Sequence, residues 1–109
     1  MGESSDVETS EGYRAVCRVE DVPAQIALKV QLGERGVLIC RDGDDIYAVD
    51  EICPHKNQSM QRAPLVDGEI ICPHHRYRFD LETGSCNRRC APVQTYDVQI
   101  RDGRVWVKM

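Results

Sequence analysis

The chain has 109 residues, a length typical of a single domain, and 41% of them are hydrophobic. Its 14 basic and 18 acidic residues give a net charge of −4, which argues against a nucleic-acid binder because phosphate binding needs a basic face. No apolar run approaches the roughly 20 residues that cross a membrane, and the first residues contain no apolar stretch typical of a secretion signal. We therefore expect a cytoplasmic protein that binds neither nucleic acid nor membrane.

Short strands dominate the predicted secondary structure. Residues 1–11 are rich in Glu, Asp and Ser and predict a flexible acidic leader, followed by one domain over residues 12–109. Beyond the leader, short apolar and β-branched segments alternate with turn residues. The predicted strands are 13–19, 27–32, 37–41, 46–50, 69–72, 77–81, 93–100 and 104–109. Since no segment shows a helical period, an all-β sandwich or small barrel is predicted.

Three Asp-Gly pairs lie between apolar runs and predict hairpin turns. They are Asp42-Gly43, Asp67-Gly68 and Asp102-Gly103. Asp-Gly suits a type I′ turn because both central residues of that turn adopt positive φ. We therefore expect each pair to join two antiparallel strands.

Two Cys-Pro-His segments contain all three histidines of the chain. The first begins at Cys53 and includes His55, and the second begins at Cys72 and ends at His75. In a β-rich chain, these segments are expected in loops, each presenting one thiolate and one imidazole. The proline after each cysteine restricts φ and stiffens the turn. The pattern predicts a metal site with two sulfur and two nitrogen ligands.

Two kinds of metal centre use this donor set. Zinc binds two thiolates and two imidazoles tetrahedrally, usually from paired cysteines followed by paired histidines, and a structural zinc domain is therefore an alternative. Here each segment mixes one Cys with one His. Mixed segments suit a dinuclear [2Fe–2S] cluster in which one iron takes both cysteines and the other both histidines.

The motifs resemble those of the Rieske family, in particular its small ferredoxins and the small subunit of NADH-dependent nitrite reductase. Family members read C-P-H-x-G-x-x-L and C-P-x-H-G-W-x-F-D followed by T-G, where this chain reads CPHKNQSM and CPHHRYRFDLETG. The resemblance covers residues 13–109. It implies a Rieske-type β fold with a two-loop cluster-binding subdomain and one [2Fe–2S] cluster per chain. It also implies Cys53 and Cys72 on the inner iron and His55 and His75 on the outer iron.

The chain departs from the family pattern at several positions. Asn57 replaces a glycine, and Asn is the best substitute if that residue needs positive φ. Arg76 replaces the glycine that follows the last ligand, and Met60 stands where the family usually has Leu. His74 occupies a variable position and is not expected to be a ligand.

Other departures bear on the reduction potential. High-potential members of the family carry an extra cysteine in each loop, whereas this chain has Gln58 and His74, so that disulfide cannot form. Their Ser and Tyr hydroxyl donors correspond to Tyr77 and Phe79 here. We therefore predict a potential in the lower part of the roughly −150 to +300 mV Rieske range.

The remaining four cysteines receive different interpretations. Cys86 and Cys90 form a C-x-x-x-C pair that is either a second redox pair, a metal half-site or two incidental thiols that air could oxidise to a disulfide. Cys17 and Cys40 fall in predicted strands and are interpreted as small core residues.

Basic residues are frequent around the metal motifs. They are Lys56, Arg62, Arg76, Arg78, Arg88 and Arg89. A basic face of this kind increases the association rate with an acidic partner. The alternative is that these side chains are simply solvated. We predict docking near Lys56, Arg76, Arg88 and Arg89.

The functional hypothesis is a stand-alone electron carrier rather than an enzyme. The resemblance implies a ferredoxin that receives electrons from a reductase and passes them to an oxygenase-type or reductase partner. The chain is too short for a catalytic non-haem iron domain, and its usable histidines are assigned to the cluster. The alternatives are a small subunit of an NADH-dependent nitrite reductase and a structural zinc domain.

Overall fold

Strands account for nearly all of the regular secondary structure in a computed structural model that describes residues 12–55, 57–73 and 77–108. A short 3₁₀ helix at Val19–Asp21 is the other regular element in these ranges. The strands are β1 (Tyr13–Arg18), β2 (Leu28–Leu32), β3 (Arg35–Asp42), β4 (Asp45–Asp50), β5 (Ile52–Cys53), β6 (Gln58–Ser59), β7 (Leu65–Val66), β8 (Glu69–Ile71), β9 (Arg78–Asp80), β10 (Thr95–Arg101) and β11 (Arg104–Lys108). No helix in the described ranges is long and apolar enough to cross a membrane.

The predicted all-β fold is confirmed, with a few local corrections. Each of the eight predicted strands corresponds to an observed strand whose ends differ by at most two residues. Strands β5, β6 and β7 were not predicted, because two residues are too few to show an alternating pattern. The predicted acidic leader, residues 1–11, lies outside the described residues.

A six-stranded antiparallel sheet forms the larger part of the fold, in the order β1-β11-β10-β4-β3-β2. Strand β10 joins its two halves, because it pairs with β11 over residues 97–101 and with β4 at Thr95 and Tyr96. The other strands form a two-stranded sheet, β5-β6, and a three-stranded sheet, β7-β8-β9.

The turns explain how these strands are joined. At Asp67-Gly68 and Asp102-Gly103 both residues have positive φ and form two-residue hairpin loops, as predicted. The β3–β4 turn differs, because Asp42 still pairs with Asp45 in the ladder. Its central residues are Gly43 and Asp44, with positive φ at Gly43 only. This places Gly first in the loop, as type II′ turns require.

Strands β3 and β4 separate two cores. Side chains alternate along a strand, so Val37 and Ile39 face one core while Leu38 and Cys40 face the other. The aliphatic core comprises Val22, Val37, Ile39, Ile46, Ala48, Val105 and Val107. The cysteine core comprises Ala27, Leu38, Cys40, Val49, Cys53, Met60, Ala63, Leu65, Ile70, Cys72, Phe79, Leu81 and Val93. The two small sheets supply much of the cysteine core, which therefore contains the metal motifs.

Candidate metal centre

The first metal motif is built on a tight turn between β5 and β6. Cys53 ends β5 rather than lying in a loop as predicted, and its side chain is fully buried. The backbone N–H of Asn57 donates to the carbonyl oxygen of Cys53 at 2.7 Å and closes the turn that carries His55. Asn57 adopts φ 56°, so the expectation that this position needs positive φ is confirmed.

Hydrogen bonds to Glu51 hold the base of this turn. The Ser59 hydroxyl donates to the Glu51 carboxylate at 2.6 Å, and the Met60 N–H donates to the Glu51 carbonyl at 2.8 Å. Met60 is fully buried in the cysteine core beside the motif. The turn is therefore fixed at its base by both backbone and side-chain contacts.

The second metal motif follows β8. Cys72 is fully buried, and its N–H donates to the carbonyl oxygen of Tyr77 at 2.8 Å. This bond closes a hairpin loop between β8 and β9. Residues 74–76, which include the predicted ligand His75 and the predicted docking residue Arg76, lie outside the described residues. The predicted docking residue Lys56 also lies outside them.

An aromatic stack brings the two motifs together. The rings of His55 and Tyr77 are 3.9 Å apart between centroids, with an interplanar angle of 27°. The guanidinium of Arg88 lies 5.1 Å from the Tyr77 centroid. Residues from both motifs and from the segment after β9 therefore converge at one place. Sequence reasoning did not predict this role for Tyr77, because stacking between separate loops leaves no periodic signal.

The donor chemistry fits a metal cluster at this place. Cys53 and Cys72 share the cysteine core, and His55 is half-buried on the loop that contacts the second motif. Among the described residues, no three His, Cys, Asp or Glu side chains form a group that could hold one metal ion. Because His75 is not among those residues, the four-ligand set stays a prediction.

Burial keeps the thiols of two other cysteines protonated. It raises the pKa of the Cys40 thiol to about 12, and burial together with the negative charge of Asp21 raises the pKa of Cys17 to about 11. Neither residue belongs to a Cys-Pro-His segment, so neither is a predicted ligand. Cys40 is a buried core residue as predicted, whereas Cys17 is only partly buried at the edge of the aliphatic core.

The C-x-x-x-C pair forms a disulfide. Cys86 and Cys90 are joined, with their Cα atoms 6.0 Å apart. Of the three interpretations of this pair, the metal half-site is incompatible with this state. The residues between them, Asn87, Arg88 and Arg89, are exposed.

A pocket beside Cys72 was not predicted. Pro64, Ile71 and Pro73 line it, together with Arg78, which also forms an ion pair of 3.2 Å with Glu69. The residues of this pocket are separated in sequence, so their pattern gives no signal before the chain folds.

Comparison with known proteins assigns the family. Residues 12–99 match the model of the Rieske [2Fe-2S] domain. The chain belongs to this family. A 3-phenylpropionate/cinnamic acid dioxygenase ferredoxin subunit of Photorhabdus laumondii is 36% identical over 84% of this chain and 90% of its own length. A ferredoxin component of the naphthalene 1,2-dioxygenase/salicylate 5-hydroxylase systems of a Ralstonia species is 33% identical over 87% of this chain and 92% of its own length.

Solved Rieske structures share the fold. The ferredoxin of carbazole 1,9a-dioxygenase from Nocardioides aromaticivorans superposes with a TM-score of 0.82 at 26% identity, covering 90% of this chain and 98% of its own. Some relatives are much longer than this chain. The nitrite reductase [NAD(P)H] large subunit of Klebsiella oxytoca is 32% identical over 90% of this chain, and the matched region spans 11% of the length of that subunit.

Membership of the Rieske family implies one [2Fe–2S] cluster in this chain. Three of the four predicted ligands are among the described residues. The thiols of Cys53 and Cys72 are buried in one core, and the ring of His55 stacks on Tyr77 where the two motifs meet. The residues therefore fit the group, and family membership favours the cluster over the zinc alternative.

Proposed function

We propose that this protein is a one-electron carrier, a ferredoxin component that passes electrons from a reductase to an oxygenase-type partner. The observation that carries the proposal is the convergence of His55, Tyr77 and Arg88 beside the core that buries Cys53 and Cys72. Support also comes from the relatives, which are named as ferredoxin parts of dioxygenase systems and which this chain matches over about nine tenths of their length. The proposal places the protein in the cytoplasm and treats residues 12–109 as its Rieske domain.

The ligands proposed for the cluster are Cys53 and Cys72 on one iron and His55 and His75 on the other. When bound, the cluster accepts and releases one electron. The cysteines and His55 have different further roles. Full burial of the two cysteines keeps water away from the sulfur ligands, and the half-buried position of His55 gives an electron a short path to the surface.

The proposed docking face is basic. It comprises Lys56, Arg76, Arg88 and Arg89, of which Arg88 and Arg89 are described and exposed. Positive charge there would attract a partner with an acidic surface and raise the association rate. One solved neighbour is a complex of reduced oxygenase and oxidised ferredoxin in carbazole 1,9a-dioxygenase, with a TM-score of 0.81 at 25% identity.

The proposal is tested first by spectroscopy. Purified protein should absorb visible light, and the dithionite-reduced form should give the electron paramagnetic resonance signal of a Rieske cluster. Reduction of the protein by a ferredoxin reductase should then slow as salt is added. A colourless, zinc-containing protein would contradict the proposal, and a salt-independent rate would remove the docking face from it.

A nitrite reductase subunit is the second candidate. It is favoured by the 32% identity to the Klebsiella oxytoca large subunit over 104 residues. Purifying the tagged protein from its own cells distinguishes the two candidates. A co-purifying oxygenase supports the first candidate, and a co-purifying NADH-dependent nitrite reductase supports the second.

A further inference from the structure

The Cys86–Cys90 disulfide lies on the segment that carries Arg88, close to the stack of Tyr77 and His55. We propose that this pair is a second redox site, which exchanges with dithiols and controls the position of Arg88 beside the predicted cluster ligand. The proposal goes beyond the one-electron function, because a disulfide takes up two electrons.

The disulfide is accessible to a small dithiol. Both cysteines are only partly buried, and the three residues between them are exposed. Exchange begins when a thiolate of the reagent attacks one sulfur and forms a mixed disulfide. The second thiol of the reagent then releases the protein. The reagent loses two electrons and two protons and forms its own disulfide, while Cys86 and Cys90 each become a thiol.

The disulfide restrains the part of the segment after β9 that carries Arg88. Within the ring, the first residue, Asn87, is anchored to Arg78 by two 2.9 Å hydrogen bonds, one of them through its side chain. After the ring, the N–H of Val93 donates to the carbonyl of Gly84 at 2.9 Å. For residues 88–92, the backbone hydrogen bonds given by the described structure stay inside the disulfide ring. These bonds run from the Arg88 N–H to the Cys86 sulfur at 3.4 Å and from the Cys90 N–H to the Arg88 carbonyl at 2.9 Å.

Opening the ring therefore frees Arg88 more than any other part of the fold. The ring encloses few residues, so its closure stabilises the domain less than the closure of a longer loop would. Its effect is local. With the disulfide closed, the guanidinium is held 5.1 Å from the Tyr77 ring, and Tyr77 stacks on His55. With the disulfide open, the positive charge of Arg88 is no longer held beside Tyr77 and the predicted ligand His55.

The first test counts thiols in the intact holoprotein. The protein is equilibrated with a series of dithiothreitol buffers of increasing reducing strength, alkylated and analysed by mass spectrometry, while visible absorption monitors the cluster. We expect two alkyl groups beyond those of the oxidised protein, mapped to Cys86 and Cys90, with absorption retained. An unmodified pair across the whole series would overturn the proposal. The thiol count is independent of any partner. It can therefore contradict the disulfide proposal while the electron-carrier function holds, or support the disulfide proposal while the electron-carrier function fails.

The second test measures the charge beside the cluster with an anionic oxidant. The cluster-reduced protein reacts with ferricyanide at low ionic strength, with the disulfide either closed or opened by dithiothreitol; after that treatment the thiols are alkylated and the reagents removed. We expect opening to slow oxidation about two- to threefold, because one nearby positive charge is no longer held in place. The double variant Cys86→Ser/Cys90→Ser should show the slow rate with or without dithiothreitol. An equal rate in the closed and open forms would overturn the link to Arg88.

Two single variants distinguish an effect of the Arg88 position on the oxidation rate from an effect of the net charge of the protein. Arg88→Ala should be slow in both forms, because the charge that the disulfide positions is gone. Arg104→Ala removes one positive charge from the start of β11. This variant should keep the two- to threefold decrease in oxidation rate after treatment with dithiothreitol. A response that survives in Arg88→Ala would contradict the proposal.

Discussion

The aliphatic core and the cysteine core share strands β3 and β4 but are enclosed by different kinds of structure. Strands of five to eight residues surround the aliphatic core, in one continuous six-stranded sheet. Strands of two or three residues, in two separate small sheets, enclose much of the cysteine core. Sheets this small are marginally stable in isolation. We therefore expect the aliphatic core to sustain itself and the cysteine core to depend on the bound cluster.

The largest expected effect comes from removing a predicted ligand. Cys53→Ser should abolish the visible absorption and the electron paramagnetic resonance signal of the reduced protein, because the cluster needs the thiolate. Far-ultraviolet circular dichroism should retain the signal of the six-stranded sheet, since Cys53 lies in the cysteine core.

Cys17→Ser is the matched control for this change. Cys17 lies in β1 at the edge of the aliphatic core, so its substitution should leave the cluster signal intact. A Cys53→Ser protein that keeps its full cluster signal would refute the ligand prediction. Complete unfolding of that variant would refute the independence of the aliphatic core.

Truncating one side chain in each core compares their dependence on the cluster. Met60 and Val107 are both fully buried, in the cysteine core and the aliphatic core respectively. In the holoprotein, Met60→Ala should lower the free energy of unfolding by about 3 kcal/mol and Val107→Ala by about 2 kcal/mol. After the iron is removed, the Met60→Ala effect should fall below about 1 kcal/mol, because its surroundings have already loosened.

Urea unfolding of the holo and apo forms measures these differences. The Val107→Ala effect should be the same in both forms, since its core is enclosed by the long strands. Equal losses for Met60→Ala with and without iron would show that the cysteine core does not depend on the cluster.

The same contrast explains what could be predicted from the sequence. The long strands and the turns at Asp67-Gly68 and Asp102-Gly103 were predictable, because alternation and backbone preference act locally. Positive φ at Asn57 was suggested by the resemblance instead, because the family usually has glycine at that position. The cysteine core was harder, since strands as short as β5 have no period.

Contacts between distant segments were beyond sequence reasoning. The stack of His55 on Tyr77 joins residues from two loops whose relative placement depends on the whole fold. The state of Cys86 and Cys90 depended on their spatial approach, and a spacing of four residues does not determine it. The partial exposure of Cys17 was not predicted either, because strand propensity does not specify how well an edge strand is covered.

A hydroxyl in the cysteine core should change the reduction potential. Phe79 is fully buried and pairs with Ile70 in the three-stranded sheet. We expect a wild-type potential below zero, since Phe79 cannot donate a hydrogen bond. If the hydroxyl of Phe79→Tyr reaches a cluster sulfur, the potential should rise by about 40 mV, which corresponds to about 1 kcal/mol for a one-electron couple. Voltammetry measures the shift. Phe79→Leu adds no donor and should not raise the potential, and a rise in both variants would assign the effect to packing.

The smallest expected effect concerns the edge of the aliphatic core at high pH. Burial, and then the charge of Asp21, raises the pKa of Cys17 from 9.0 to about 11 in the folded state. Below pH 9 the thiol is protonated in both states and does not affect the pH dependence of stability. Between pH 9 and 11 the unfolded chain releases this proton while the folded chain keeps it, so stability falls as pH rises. Since Cys17 is about half exposed, we expect a loss below about 1 kcal/mol. Urea unfolding at pH 8 and pH 10 should show a smaller loss for Cys17→Ser than for the wild type. Equal losses in the two proteins would mean that the Cys17 thiol titrates alike in the folded and unfolded states, and that β1 leaves it in contact with water.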